Sequence, residues 1–462
     1  MNSSFGSSAP AMNIAQYVNY FGVSKGLALS TISLYIAGYV AGPLAWGPAS
    51  EIYGRRIIFI ISVSIYTLAC LGCGFSEKIY QILILRFVAG CSGAASICIS
   101  GAVIGDVFEA DMRGIGVSII SLAPFAGVAL SPVIGGWIEA HQISWKWIYW
   151  ISAISSAFSL ILVVLFFSET YHPTLLQKKT RKIRNVTGDN RYWASLDQKK
   201  TDLRSLMHNS FVKPFLMLFH EPLLFMITLY MSFVHGILYM PFEMFPLVTK
   251  RVHHLSAVKS GVSFLALLVG GLIMAIIYLL YYTPKYRKQC ALVAPEEVSP
   301  EIRLEIGKIG AIVFPLSIIM MGWTGNYLCV SVWFPILALG LMGASILSLF
   351  IAFYTYLIDS YLESCATAIS INIVVRSLFG SLLLFFGEKI YDRLGINWAS
   401  TLIGSIALLL SPLPFVLQTK AAKNQQNSQI IQKVDQFPGF PSSKLCHINE
   451  TFIDRNPLKA VA

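Results

Sequence analysis

The chain of 462 residues is 55% hydrophobic and only 12% charged, about half the charged share of an ordinary soluble domain. Water could not solvate such a surface, so a soluble globular fold is excluded. The net charge of +11 comes from Lys and Arg placed in loops beside apolar runs, which reads as membrane topology and not as a nucleic-acid-binding face.

The opening residues, Met1 to Ala9, are polar and uncharged, with no apolar core of the kind a cleavable signal carries. Long apolar runs bounded by charge, Pro or Asn then recur along the chain. The first five are Leu27 to Trp46, Ile57 to Phe75, Ile79 to Ile104, Ile115 to Trp137 and Trp147 to Phe167. From Glu169 to Lys213 the pattern stops, in a polar stretch with ten Lys or Arg that is too hydrophilic to span and too long for a turn. Six more spans follow: Leu223 to Leu247, Val262 to Tyr281, Ile309 to Gly325, Leu328 to Tyr354, Ala366 to Phe386 and Trp398 to Leu417. The eight Cys are scattered, and Cys70 and Cys73 share an apolar run with no His or further Cys to complete a ligand set. No metal site and no cofactor are expected.

Placing the central basic stretch in the cytoplasm puts most loop Lys and Arg inside, as the positive-inside rule requires. Five spans before an inner loop then put the N-terminus outside. Secondary transporters are commonly built from two similar halves around a midplane site, and five plus six spans suggest that the first is truncated. The expected plan is an all-α polytopic membrane protein. Residues 1–167 form an N-terminal bundle with an incomplete first span, 168–218 a central cytoplasmic loop, 219–417 a six-helix C-terminal bundle and 418–462 a polar cytoplasmic tail.

Several motifs carry chemistry. Between the first two spans, Gly47-Pro-Ala-Ser-Glu51-Ile-Tyr-Gly54-Arg55-Arg56 is a tight inner turn whose glycines permit close approach and whose Glu and Arg can exchange ion pairs. Arg86 lies about two turns inside the third span, where a guanidinium in hydrocarbon must find a partner or cavity, or else snorkel to the outer interface. The fourth span carries Gly127, Ser131, Pro132, Gly135 and Gly136, small residues at four-residue spacing beside a proline kink, a face for close helix contact. In the second half Glu243 is a helix cap or a cation-attracting group at a cavity mouth, Arg376 lies mid-span, and His235 is a satisfied polar residue or a proton relay. Tyr230, Tyr239 and Phe242 belong to an interfacial belt or line a pocket.

The stretch "GPASEIYGRR" resembles the loop signature of the major facilitator superfamily, in the version of fungal twelve-span drug:proton antiporters. The resemblance extends through "LRFVAGCSGAAS", "SWKWIYWI", "ETYHPTLLQKK", "TGDNRY", "YLIDSY" and "GINWAS", segments similar to fungal multidrug and polyamine exporters. It implies two six-helix bundles of the major facilitator fold, a proton-coupling role for Arg86 within Arg-x-x-x-Gly, and a charge network joining Asp106 to the loop signature. The fourth-span motif is similar to the antiporter motif Gly-x-x-x-Gly-Pro-x-x-Gly-Gly, with Ser131 in place of one Gly, and the opening, Ser3 to Ser24, resembles the outer end of the family's first span followed by its outer loop.

No phosphate-binding loop is present, so the proton gradient is the expected energy source. No His, Asp or Cys cluster suggests a membrane enzyme. The expected function is proton-coupled efflux of drugs, toxins or secondary metabolites from the plasma membrane by a monomer, with small-molecule cargo, protons and the lipid bilayer as partners. A polyamine exporter and a truncated, inactive relic are the alternatives.

Overall fold

The computed structural model describes residues 1–108, 112–189, 191–194, 197, 212–292, 300–361 and 365–424. Among them, 11 helices are long and apolar enough to cross a membrane, and each coincides with a run expected from the sequence. The first five are Lys25–Tyr53, Arg55–Phe75, Ile79–Val107, Arg113–Ala140 and Lys146–Phe166. The second set is Pro222–Pro246, Ala257–Gln289, Ile302–Gly325, Trp333–Ser360, Thr367–Leu384 and Lys389–Gln418. Residues as apolar as Leu68, Ile84, Ile154 and Phe158 are exposed on them. A bilayer rewards such outward faces and water does not. Met1–Pro414 forms one unit and Phe415–Ala462 a second; most of the expected polar tail lies outside the described residues.

Local chemistry sets the helix ends. The Ser24 hydroxyl accepts from the Leu27 amide at 3.3 Å and caps Lys25–Tyr53, satisfying one of the orphan donors of a first turn. That helix stops at Gly54, whose φ of +94° suits only a residue without Cβ. Inside the first half, the Lys25–Tyr53 and Ile79–Val107 helices touch backbone to backbone. A Cβ at Gly38 would come within 2.5 Å of the Phe87 carbonyl. In the second half, the helical stretch Cys365–Leu410 is two helices meeting at Gly395.

Two segments differ from the loop readings. The central basic stretch holds a helix, His172–Thr187, with Pro at its first turn and a left-handed Gly188 at its end, the usual start and stop chemistry. The opening of the chain is helical as far as Phe21, in three pieces: Asn2–Ser8, a 3-10 turn at Ala11–Asn13 and Ile14–Phe21. Only Gly22 to Ser24 remain as outer loop. The polar composition that reads as loop is used inside the bundle, where Ser3, Ser4, Ser7, Ser8 and Asn13 are all buried. The Ser3 hydroxyl bonds Tyr39 at 2.6 Å, and the Ser3 carbonyl accepts from Tyr35 at 2.7 Å.

Candidate functional site

The inner loop motif builds a charge cluster. Arg55 donates from Nε to Asp106 at 3.3 Å and from a terminal nitrogen to the Ser50 hydroxyl. Its guanidinium lies 4.7 Å from the Tyr171 ring centre. Glu169, from beyond the fifth span, accepts the amides of Arg55 at 2.8 Å and Arg56 at 3.3 Å. These are first-turn donors of the Arg55–Phe75 helix, which have no partner within the helix and sit at the positive end of its dipole. Gly54 belongs to the same joint, because a Cβ there would run into the Glu169 carboxylate. The Arg56 side chain donates to the Val164 carbonyl at 2.8 Å. Burial, with the Glu51 and Asp106 charges added and the Arg55 charge opposing, raises the Tyr171 phenol above its ordinary pKa. The motif also reaches the second half: a Cβ on Gly47 would stand 3.2 Å from the Ser370 hydroxyl, and Cys98 Sγ lies 3.3 Å from that same hydroxyl.

Arg86 is buried, at 2% exposure, so the snorkelling arrangement does not occur. It donates to the Thr31 carbonyl at 2.9 Å, the Gly6 carbonyl at 2.5 Å and the Ser7 carbonyl at 3.2 Å, and its charge faces the Tyr35 ring at 4.3 Å. The sequence explains why the Gly6 carbonyl is free. Pro10 has no N–H to give it four residues on, and the backbone turns there into the 3-10 step at Ala11. Arg86 takes the acceptor that the proline releases.

The small-residue motif of the Arg113–Ala140 helix has two faces. Gly127 and Gly135 lie against the opening segment, where added Cβ atoms would meet Phe5 N at 2.7 Å and Met12 Cβ at 3.0 Å. Ser131, on that side of the helix, is fully buried. Pro132 and Gly136 instead touch the start of the Ala257–Gln289 span. A Cβ on Gly136 would stand 2.5 Å from the Ala257 carbonyl, and Gly261 is pressed against the Pro132 carbonyl. The two halves therefore meet here at backbone distance, on the side that the loop charges place outside.

Toward its other end, the Arg113–Ala140 helix pairs by charge with the Trp333–Ser360 helix. Arg113 lies 3.7 Å from Asp359, which also takes Arg303 Nε at 3.0 Å. Arg303 reaches the Tyr278 hydroxyl at 3.4 Å and stands 3.4 Å over the Tyr286 ring. Sequence reading singled out neither Arg113, Arg303 nor Asp359. The signal available was "YLIDSY", whose Asp ends a span as Asp106 does.

Between these contacts lies a cavity of about 220 Å³. Ser3, Tyr39, Ser100 and Phe125 line it from the first half, and His235, Tyr239, Phe350, Tyr354 and Arg376 from the second. Of the residues expected in a pocket, His235, Tyr239 and Arg376 are brought together. Tyr230 is instead packed edge-on to Phe353 at 5.6 Å, and Phe242 is stacked on Phe264 at 5.1 Å, so both serve helix contacts. Sequence hydropathy does not separate these aromatics, because a core ring and a cavity ring are equally apolar. The Glu243 side chain lies outside the described residues. Among the described residues neither ring nitrogen of His235 has a hydrogen-bond partner, against the expectation of a satisfied polar residue.

Residues 1–384 match the family model of the Major Facilitator Superfamily. A multidrug transporter of this superfamily from Candida albicans, FLU1, is 31% identical over 422 residues, covering 90% of this chain and 68% of the relative. The efflux pump FUB11 of Gibberella moniliformis is 32% identical, covering 90% and 69%. The transporter of the ascochitine biosynthesis cluster of Didymella fabae is 32% identical, covering 90% and 80%. Among solved structures, the proton:xylose symporter XylE aligns with a TM-score of 0.62 at 13% identity, over 89% of this chain and 92% of that one. At that identity the likeness speaks for the fold alone. With a matching family model, relatives that are multidrug and efflux transporters, and two helical halves around a shared cavity, the chain belongs to the Major Facilitator Superfamily of membrane transporters.

Proposed function

We propose that the protein is a proton-driven antiporter that exports small organic molecules across the plasma membrane, acting as a monomer by alternating access. The observation that carries this reading is the cavity between two contacts that the Arg113–Ala140 helix makes with the second half. Pro132 and Gly136 meet Ala257 and Gly261 on the outer side, and Arg113 meets Asp359 on the inner. Rocking the halves would break one contact while keeping the other, exposing the cavity to each side in turn. The outer contact is made by the motif that resembles the antiporter signature.

In the cavity wall, His235 is the titratable group suited to exchange a proton with water. Arg86 acts on coupling through the geometry of the opening segment. The relatives named as multidrug and efflux pumps support export as the direction. Polyamine export gains no support, since no Asp or Glu is among the described lining residues. The test is efflux from vesicles holding the purified protein, driven by an imposed pH gradient. Transport should cease when a protonophore collapses the gradient, and unchanged efflux rules out proton drive.

A further inference from the structure

Four arginines are buried among the described residues: Arg55, Arg86, Arg303 and Arg376. The first three have oxygen partners. Arg55 and Arg303 pair with Asp106 and Asp359, and Arg86 bonds three carbonyls. Arg376 is 4% exposed, and no hydrogen bond or ion pair to its guanidinium occurs among the described residues. What it faces are the rings of Phe350 and Tyr354, each 5.6 Å away. A ring face offsets only part of the cost of desolvating a cation.

The neighbouring polar atoms show the same deficit. Arg376 Nε, both ring nitrogens of His235 and the Tyr354 hydroxyl are buried without partners, and all three residues line the one cavity. These atoms belong to residues that border one space, the place for a ligand that supplies acceptor oxygens. The rest of the wall is mostly apolar, including Ile97, Ile120 and Phe125. An apolar pocket with a few converging polar groups is the usual form of an organic ligand site.

We propose that Arg376, with His235 and Tyr354, forms an anion subsite, and that the cargo is an amphipathic organic anion: a carboxylate, sulfonate or phenolate on an apolar body. The guanidinium fork matches two carboxylate or sulfonate oxygens, His235 in its neutral form still donates one N–H, and Tyr354 donates its hydroxyl. A cationic cargo in this space would meet Arg376 with no described carboxylate to shield it. The assignment rests on the reading of the protein as a transporter and adds the charge of what it carries.

The test measures binding first, in phosphatidylcholine nanodiscs, so that it does not depend on turnover. The probe is naphthalene-2-sulfonate, ionised at every working pH, against its trimethylammonium analogue of similar shape. Wild-type protein should bind the sulfonate at least about tenfold more tightly than the cation. Arg376→Gln should weaken sulfonate binding by about thirtyfold or more, and Arg376→Lys should recover part of it. Melting curves of both variants should stay close to wild type, which separates site loss from unfolding. Equal binding of anion and cation, no sulfonate binding by wild type, or unchanged binding by Arg376→Gln would overturn the proposal. Phosphatidylglycerol in the nanodisc should leave sulfonate affinity unaltered; competition by that lipid assigns the site to a headgroup and overturns the cargo assignment. Efflux that fails under a pH gradient while sulfonate binding persists removes the antiport reading alone.

Discussion

Arg86 and Glu169 each satisfy backbone groups that local structure leaves open, one at a proline break and one at a helix start. Replacing Arg86 by Ala removes three charged hydrogen bonds and leaves the Gly6 carbonyl, which Pro10 cannot serve, without this donor, a loss of roughly 3 kcal/mol or more. The expected readout is a clearly lower melting temperature together with loss of gradient-driven efflux. Arg86→Lys should retain membrane insertion but transport weakly, because a point charge cannot reach three separate acceptors. Normal efflux by Arg86→Ala would remove any coupling role. Glu169→Gln keeps the shape but gives up the charge at the helix start, so it should cost about 1 kcal/mol, read as a small drop in melting temperature. Gly54→Ala should be worse than Glu169→Gln. Its φ of +94° is strained for any Cβ, and the added methyl displaces the same carboxylate. If Gly54→Ala melts like wild type, the joint is looser than the geometry indicates.

The Arg113–Ala140 helix shows how one element serves two surfaces. Its glycines at 127 and 135 seat the opening segment, while Pro132 and Gly136 meet Ala257 and Gly261 across the halves. Gly136→Val puts three carbons where the Ala257 carbonyl already stands, and overpacking of that kind costs about 1–3 kcal/mol. Because the contact is between halves, that cost falls on the state in which the outer side is closed. The variant should therefore favour an outward-open state, seen as faster labelling of a cysteine placed at Ser4 or Tyr39 by an impermeant thiol reagent added outside. An unchanged labelling rate would mean that this contact does not gate. The spacing of the small residues was legible in the sequence as a contact face. Which neighbour each member touches was not, since four-residue spacing defines a stripe and says nothing about what lies against it.

Across the two halves together, the inner side is held by Asp359 between Arg113 of the first half and Arg303 of the second. Asp359→Asn removes the carboxylate that stands between Arg113 and Arg303, and like charges so placed repel. The inner side should open more often. A cysteine at Ser100, in the cavity wall, should then react severalfold faster with thiol reagent supplied from the cytoplasmic face. Exchanging the charges, as Arg113→Asp with Asp359→Arg, should not restore wild-type rates, because Arg303 would then face a second guanidinium where it now has a carboxylate. No change in either variant would show that helix packing alone closes this side.

Where the chain is helical and apolar follows from the sequence alone, because spanning length and hydropathy are local properties that a run of about 20 residues carries in full. All 11 spans and the depth of Arg86 within one of them are of this kind, whereas Gly47 to Tyr53, which read as a turn, continue the Lys25–Tyr53 helix and only Gly54 breaks it. Tertiary packing settled which groups satisfy one another. Glu169 reaches the Arg55 amide across 114 positions, and Arg86 reaches the Gly6 carbonyl across 80. Helix packing also divided the second-half residues, leaving His235 and Arg376 in the cavity wall and Tyr230 and Phe242 between helices. The same packing put the polar opening residues, expected as the outer end of a span and the loop after it, inside the bundle. Hydropathy records how much a residue resists water. It carries no information on which distant helix supplies the partner, and in a bundle that partner sets whether a charge is bonded, as at Arg86, or left facing a cavity, as at Arg376.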